Sequence, residues 1–323
     1  MNRLHPLLAI VGPTAVGKSQ LAIQLALRFE GEIVSADSRQ LYRGMDIGTA
    51  KPSAEQRALV PHHLIDVVRP DETWSLSSYR AAALTTIQDV QHRGRLPILV
   101  GGTGQYVMAI LEGWEPPPRG ADDSLRRELE QYAETHGKET LHRRLAEIDP
   151  LLAGAIDARN TRRVIRALEV YHLTGQPPSH IRRRTQVPFQ DLRIGLNLPR
   201  RDLYARIDAR IDDMLNAGWV EEVRELLQQG YGPELPAMSA IGYRQLTAYL
   251  QGIATLEDAL KSIRRASRQF VRRQANWFKA GDSRIHWFEA MAGVELRAAQ
   301  WVREWLAGRS EDGDAIRRGR TRG

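Results

Sequence analysis

The chain has 323 residues, 42% of them hydrophobic and 26% charged, which is the composition of a globular protein with one large or two moderate domains. It contains no cysteine, which excludes disulfides, thiol nucleophiles, iron–sulfur clusters and cysteine-containing zinc sites. No apolar run approaches the roughly 18 residues that span a bilayer, and residues 1–8 are too short for a signal peptide. We therefore expect an unexported, cytoplasmic protein without a membrane anchor.

The formal net charge of +7 is unevenly distributed along the chain. Residues 1–150 carry 17 Lys and Arg against 19 Asp and Glu, whereas residues 151–323 carry 29 against 20. Concentrated positive charge favours a polyanionic partner such as nucleic acid, because neutralised phosphates release counterions. A role in solubility alone would explain the charge equally well.

Strand and helix patterns alternate in the first part of the chain. Buried strands are predicted at residues 7–11, 33–34, 63–66 and 96–100, with helices from Lys18 onward and over residues 75–93. Such alternation indicates a parallel sheet with helices on both faces. The predicted fold class is therefore α/β.

The domain boundaries follow from a break in this pattern. Three consecutive prolines at residues 116–118 cannot continue a helix or an interior strand. The pattern is then helical until a strand-like segment at residues 192–198. We therefore predict a core of residues 1–115 and 191–308, an inserted helical domain of residues 116–190, and a disordered tail of residues 309–323.

The segment after the first strand matches the P-loop pattern G-x-x-x-x-G-K-[ST] at every fixed position. The predicted fold is therefore a P-loop NTPase-like parallel sheet with helices on both faces, plus an inserted all-helical domain. The residues of the matching segment are Gly12, Pro13, Thr14, Ala15, Val16, Gly17, Lys18 and Ser19. Backbone N–H groups of such a loop bind phosphate, while Lys18 would reach the outer phosphate and Ser19 a magnesium ion. The acidic residue that usually completes the magnesium site is missing after the fourth strand, although Asp37 or Asp66 could substitute.

Two further loops follow predicted strands and should lie at the same edge of the sheet as the P-loop. Asp37 lies in the first, where its carboxylate could accept a proton from a substrate amine. An ordinary turn or helix-cap role for Asp37 is the commoner alternative. Thr103 lies in the second, within a glycine-rich segment that allows a ligand close to the backbone. Each motif taken alone is weak.

Taken in order, these motifs resemble the tRNA dimethylallyltransferase family, which modifies the adenosine at tRNA position 37, next to the anticodon. The matching segments are GPTAVGKS at 12–19, DSRQLY at 37–42, MDIGTAKP at 45–52, PHHLID at 61–66, GGTGQY at 101–106, RRVIRALE at 162–169, IGYRQ at 241–245 and RQFVRRQANWF at 268–278. The resemblance covers almost the whole chain. A minor departure is Gln105, where many members have leucine.

The resemblance implies a reaction that also explains the missing acid. Its donor would be dimethylallyl diphosphate, whose diphosphate leaves when the allylic C–O bond breaks, so that no γ-phosphate is transferred. Lys18, Ser19 with Mg²⁺, and Arg210 would stabilise the leaving group. A helix-surface ion pair with Asp213 or a neighbouring glutamate is an equally good explanation of Arg210. Asp37 would accept the proton of the adenine amine, and Thr103 would align the reactants.

The tRNA anticodon stem-loop would be held by basic side chains. One predicted helix carries seven Lys and Arg, and no acidic residue occurs between Asp258 and Asp282, which favours a phosphate-binding surface. Basic residues of the inserted region, among them an arginine triplet at 182–184, would add a second surface. The residues predicted to contact tRNA are Asp37, Ser38, Arg39, Gln40, Thr161, Arg162, Arg163, Val164, Ile165, Ser239, Gly242, Tyr243, Arg244, Arg268 and Arg272.

Two alternatives remain open from the sequence. An adenylate isopentenyltransferase acting on free AMP or ADP would share the N-terminal motifs, but a mononucleotide requires neither the insertion nor the basic helices. An RNA-binding P-loop ATPase or kinase would instead hydrolyse or transfer a γ-phosphate. Nothing in the sequence requires an obligatory protein partner.

Overall fold

The computed structural model describes residues 4–115, 123–181 and 184–320, and for residues 123 and 309–320 it describes the backbone alone. The chain divides into two compact units, one of Met1–Leu111 with Val187–Gly323 and the other of Glu112–Gln186. The predicted inserted domain thus begins and ends four residues later than the second unit. The prolines on which the first boundary rested lie outside the described residues.

The first unit is built on a six-stranded sheet of order β3-β2-β4-β1-β5-β6, in which every pair of neighbouring strands is parallel. The strands are β1 (His5–Val11), β2 (Gly31–Ser35), β3 (His62–His63), β4 (Leu96–Val100), β5 (Phe189–Asn197) and β6 (Ile285–Glu289). Central strand β1 pairs with β4 on one side and β5 on the other. The insertion therefore separates two strands that flank the same neighbour. This confirms the predicted fold class.

Nine helices of the first unit accompany the sheet within the described residues. They are α1 (Lys18–Phe29), α2 (Ala54–Leu59), α3 (Leu76–His92), α4 (Gly104–Leu111), α9 (Arg200–Asn216), α10 (Trp219–Gln228), α11 (Tyr243–Leu250), α12 (Leu256–Ala275) and α13 (Val294–Arg320). In α3, the side chain of Ser75 caps the helix by accepting a hydrogen bond from the N–H of Ser78 at 2.9 Å. No helix in the described part of the chain is long and apolar enough to cross a membrane.

The second unit is a helical bundle. Its helices are α5 (Asp123–His136), α6 (Lys138–Ile148), α7 (Pro150–Gly154) and α8 (Thr161–Thr174), followed by the 3₁₀ turn Pro178–His180. Leu141, Leu145 and Val164 are fully buried in its core. Glu169 is also buried, and its carboxylate is neutralised by Arg126 at 2.8 Å and Arg166 at 3.1 Å. The prediction that residues 122–186 are mostly helical is correct for the described part of that range.

Three predicted elements differ from the structure. The third strand ends at His63 rather than residue 66, because Leu64 and Asp66 adopt positive φ angles of 61° and 57° that are incompatible with a strand. Edge strand β6 was not predicted. Helix α13 continues to Arg320, whereas the sequence suggested a disordered tail from residue 309. This stretch contains no proline, so its backbone can continue the helix despite its glycines and charges.

Candidate active site

The P-loop follows β1 and leads into α1 with the backbone conformation that its glycines permit. Gly12 has a φ of 139° and Gly17 a φ of 104°, values that residues with a Cβ rarely adopt. A Cβ at Gly12 would also collide with the carbonyl of Leu196 in β5. The loop predicted from the sequence is thus confirmed as a strand–loop–helix turn at the carboxyl end of the central strand.

Lys18 begins α1 and folds back over the loop. Its Nζ donates a hydrogen bond to the carbonyl oxygen of Pro13 at 2.7 Å. The pKa of Lys18 is lowered to about 8, because burial lowers it, the charge of Asp37 partly restores it, and the positive charge of Arg210 also lowers it. Two cations, Lys18 and Arg210, thus lie near one carboxylate, that of Asp37. The net positive charge of these three groups favours binding of an anion.

Arg210 reaches this site from α9, far along the chain. Burial lowers the pKa of its guanidinium, and the carboxylate of Asp37 partly restores it. Within the part of the chain that the structure describes, Arg210 forms no ion pair with Asp213 or a neighbouring glutamate, so the alternative suggested for it is wrong. Lys18, Asp37 and Arg210 therefore lie together, as the resemblance implied, although the role of Arg210 toward a diphosphate stays a prediction.

Asp37 and Thr103 lie in loops that are bonded to each other. Oδ1 of Asp37 accepts a hydrogen bond from the N–H of Arg39 at 2.8 Å, which closes a tight turn after β2. Thr103, after β4, accepts a hydrogen bond from the N–H of Ser38 at 3.0 Å, and its own N–H donates to Ala36 at 3.2 Å. Among the described residues, Oδ2 of Asp37 has no hydrogen-bond partner. The turn role and a role as a base are thus compatible, because they use different oxygens.

The chemistry of the donor set limits how a magnesium ion could bind. No group of three or more His, Asp or Glu in the described residues could hold a metal. The side chain of Ser19 is exposed beside the P-loop and offers a single hydroxyl ligand. These residues fit a Mg²⁺ that takes most of its ligands from phosphate oxygens and water, which is the usual coordination of Mg²⁺ at phosphate sites.

Several predicted tRNA contacts connect the loops of the first unit. Arg39 donates to the carbonyl of Pro236 at 2.8 Å and to the hydroxyl of Ser239 at 3.3 Å. The amide of Gln40 donates to the carbonyl of Ala50 at 3.2 Å. The predicted segment 37–40 is therefore adjacent to Ser239, the first residue of the predicted segment 239–244. Exposed side chains among the predicted contacts are those of Arg162, Arg163, Ser239, Arg244 and Arg272.

Four predicted contacts are corrected by the structure, because their residues are buried. Val164 and Ile165 face the core of the second unit, with 0% and 4% of their surface exposed. Gly242 is buried, and a Cβ there would collide with the ring of Trp219. Tyr243 is fully buried, and its hydroxyl donates to Glu222 at 2.6 Å. A side chain enclosed in this way supports the neighbouring loop and cannot stack on a base.

Two arginines of the basic helix have acidic partners on another helix, which the sequence did not indicate. Arg268 of α12 pairs with Asp208 of α9 at 2.6 Å, and Arg264 pairs with Asp212 at 2.5 Å. These two arginines therefore have acidic partners from α9, although no acidic residue occurs between Asp258 and Asp282. Arg272 is exposed, with a contact of 3.4 Å from its Nε to the hydroxyl of Tyr204. Of the triplet at 182–184, Arg182 and Arg183 lie outside the described residues.

Two residues that sequence reasoning missed hold the site loops. Glu222 of α10 accepts hydrogen bonds from the N–H groups of Asp46 at 2.8 Å and Ile47 at 2.7 Å, which fixes the loop after the segment 37–42. Gln274 of α12 is bonded to both the P-loop and the loop after β4. Gln274 follows two exposed arginines in sequence but lies on the buried face of α12. The signal available in the sequence was a polar residue on the apolar face of a predicted helix.

The fold and this site together define a P-loop α/β enzyme with a carboxylate next to the loop. Models of two families match the chain, IPP transferase over residues 40–281 and Isopentenyl transferase over residues 5–61. The chain therefore belongs to the IPP transferase family, as its motifs suggested.

Known proteins of the same kind match over nearly the full length. A tRNA dimethylallyltransferase of Roseiflexus sp. (strain RS-1) is 50% identical over 301 residues, which are 93% of this chain and 99% of that protein. The crystal structure of the tRNA isopentenylpyrophosphate transferase from Bacillus halodurans is 40% identical and has a TM-score of 0.70, with 97% of this chain and 99% of that one covered. A eukaryotic dimethylallyltransferase acting on tRNA is 28% identical with a TM-score of 0.80, covering 94% and 80%.

Proposed function

We propose that this protein transfers the dimethylallyl group of dimethylallyl diphosphate to the N6 amine of the adenosine next to the anticodon, tRNA position 37, and releases diphosphate. Family membership and the similarity over nearly the whole chain to tRNA dimethylallyltransferases support the reaction class. The observation that carries the proposal is the juxtaposition of Lys18, Arg210 and Asp37 at one end of the sheet. Because its substrate is tRNA, we place the reaction in the cytoplasm.

The P-loop would hold the diphosphate. In the reaction the allylic C1–O bond breaks, and its electron pair leaves with the diphosphate. Backbone N–H groups of the loop, the ammonium of Lys18 and the guanidinium of Arg210 would stabilise this developing charge, with several donors acting in a partly buried site. When bound, Mg²⁺ would neutralise part of the same charge, and the hydroxyl of Ser19 is the protein ligand that we assign to it.

Asp37 would act on the acceptor. The lone pair of the adenine amine is delocalised into the ring, so the nitrogen becomes a competent nucleophile only as its proton is removed. Oδ2 of Asp37 is free to accept that proton while Oδ1 keeps the turn closed through Arg39. The hydroxyl of Thr103, bonded to Ser38, would hold the amine in line with the allylic carbon and the leaving oxygen.

An adenine inside a stacked loop cannot present its amine to this carboxylate. It must be flipped out of the stack, which costs a few kcal/mol and is easier in an RNA loop than in a duplex. Arg39, two residues after Asp37, is bonded to Pro236 and Ser239, and Arg244 is exposed five residues further along the chain. We assign the contacts with the flanking nucleotides to these residues.

One labelling experiment tests the proposal. The protein is incubated with dimethylallyl diphosphate labelled in the allyl group and with bulk tRNA, AMP or ATP in separate reactions. We expect label in tRNA alone and equimolar release of diphosphate. Digestion of the labelled tRNA should yield a single modified nucleoside, N6-dimethylallyladenosine. Label in AMP, or consumption of ATP without labelling, would contradict the proposal.

A further inference from the structure

Gln274 forms a bridge between two loops of the candidate site. Its Oε1 accepts a hydrogen bond from the N–H of Thr14 in the P-loop at 2.9 Å, and its Nε2 donates to the carbonyl of Gly102, after β4, at 3.0 Å. The side chain is 3% exposed, so water does not compete for either bond. The two loops are separated by nearly ninety positions in the chain, and this one amide touches both.

The chemistry of the bridge requires glutamine. The N–H of Thr14 is a donor and the carbonyl of Gly102 is an acceptor, so the side chain between them must both accept and donate. The glutamine amide does so in one of its two orientations. A carboxylate at the same position would accept from Thr14 but could not donate to Gly102. An apolar residue would leave both backbone groups buried without a partner, which costs free energy at each.

The packing around the bridge is close. A Cβ at Gly102 would collide with Nε2 of Gln274, and one at Gly104 would collide with the ring of Trp277, just beyond α12. The glycines of the loop at 101–104 therefore allow the end of this helix to approach the backbone. Thr103, which the proposed function uses to align the acceptor, lies between these two glycines.

We propose that Gln274 is a positioning residue of the transfer reaction, an inference that rests on the proposed function. Its amide holds the P-loop, which would carry the diphosphate, at a set separation from the loop of Thr103, which would carry the acceptor. The bond that forms joins a group on one loop to a group on the other. A change in their separation misaligns the attack, and a displacement of about 1 Å can cost about 100-fold in rate.

The test compares Gln274→Met and Gln274→Glu with Gln245→Met. Gln245 is also a buried helical glutamine bonded to the backbone, since it accepts from the N–H of Gly242 at 2.8 Å, but it does not touch the P-loop. Each protein is measured for its Tm, its affinity for inorganic pyrophosphate by calorimetry, its affinity for tRNA by filter binding, and its single-turnover rate with both substrates saturating.

For Gln274→Met we expect a rate about 10- to 100-fold below that of the parent, with both affinities within about threefold. Gln274→Glu should lose rate to a similar extent and should also bind pyrophosphate more weakly, because a carboxylate then lies beside the anion. Gln245→Met should lower the Tm and leave the rate within about threefold. Should Gln274→Met fail to fold, Gln274→Glu supplies the comparison.

Two results would overturn the assignment. One is a folded Gln274 variant whose saturated rate stays within threefold of the parent. The other is a rate loss that Gln245→Met shares, since that is the effect of a weakened fold rather than of misaligned loops. A parent protein that transfers no label at all overturns the proposed function itself. Failure of the bridge proposal is different, because the parent is then active and the Gln274 variants react as fast as the parent does.

Discussion

The P-loop and the basic helix α12 both carry strong sequence signals, yet only one of them has the surroundings that its signal predicts. Residues 12–19 form the loop that their motif predicts, and Lys18 lies over it. Helix α12 carries the basic side chains that the sequence predicts, but two of its arginines pair with Asp208 and Asp212 of α9. A motif that contains its own geometry can be interpreted locally. A charged helix face cannot, because its counter-ions can come from any part of the chain.

Substitutions at the P-loop end of the sheet should change the reaction rate, whereas substitutions in α12 should change the affinity for tRNA. The largest effect on rate should come from Asp37, which lies at the same end of the sheet as the P-loop. We expect Asp37→Asn to keep the fold, since the amide oxygen can still accept the Arg39 N–H that closes the turn. The single-turnover rate should fall about 100- to 10,000-fold, the usual value of general-base assistance. The measurement is prenylation of an anticodon stem-loop with both substrates saturating, together with a melting curve. Normal melting with a rate within threefold of the parent would rule out Asp37 as the base.

Lys18→Ala tests whether the P-loop serves the diphosphate alone. Removing one donor to a developing negative charge typically costs about 100- to 1,000-fold in rate, and we expect a loss of that size. Affinity for tRNA, measured by filter binding, should stay within about twofold. A large loss of tRNA binding would show that the P-loop and the basic surfaces are not separate in function.

The pH dependence of dimethylallyl diphosphate binding also tests whether Lys18 binds the diphosphate. The pKa of Lys18 is lowered to about 8, so its ammonium is charged below that pH and neutral above it. Affinity for dimethylallyl diphosphate should therefore weaken by up to about tenfold between pH 7 and pH 9. At pH 8 binding should take up a fraction of a proton, which calorimetry in buffers of different ionisation enthalpy detects. Lys18→Ala should show neither effect.

Removal of charge from α12 should act on affinity rather than rate. The double substitution of Arg268 and Arg272 by Ala should weaken tRNA binding and reduce the slope of log K against log salt by about 0.7 to 0.9 for each lost phosphate contact. Because Arg268 pairs with Asp208, its removal also uncovers a carboxylate. Adding Asp208→Asn corrects for that charge. An unchanged slope in this background would make α12 an ordinary solvated surface.

The smallest effect should come from Tyr243, which the sequence suggested as an RNA contact. Tyr243→Phe removes one hydrogen bond to Glu222 and should destabilise the fold by about 1 kcal/mol, seen as a lower Tm. Affinity for tRNA should not change, because the ring is buried. Its exposed neighbour serves as the comparison, since Arg244→Ala should weaken binding. Equal losses in both variants would restore the stacking role to Tyr243.

Local sequence signals were sufficient for the fold class and for the location of the chemistry. The strands before Gly12, Asp37 and Gly101 were identifiable from short apolar runs, and parallel strands bring the loops that follow them to one edge of the sheet. That rule alone placed Lys18, Asp37 and Thr103 together. Arg210 depended on the family resemblance, because no local pattern distinguishes an arginine that turns inward from one that faces solvent.

Features that depend on distant neighbours required the folded chain. Burial of Tyr243 and Val164 depends on which helix face meets a core, and the motif letters do not specify that face. The short third strand depends on two residues with positive φ, and neither is glycine. The bridge of Gln274 joins backbone groups of two loops, so it forms only once helix α12 has packed against them. Side-chain partners across the fold are selected by packing, and packing is a property of the whole chain.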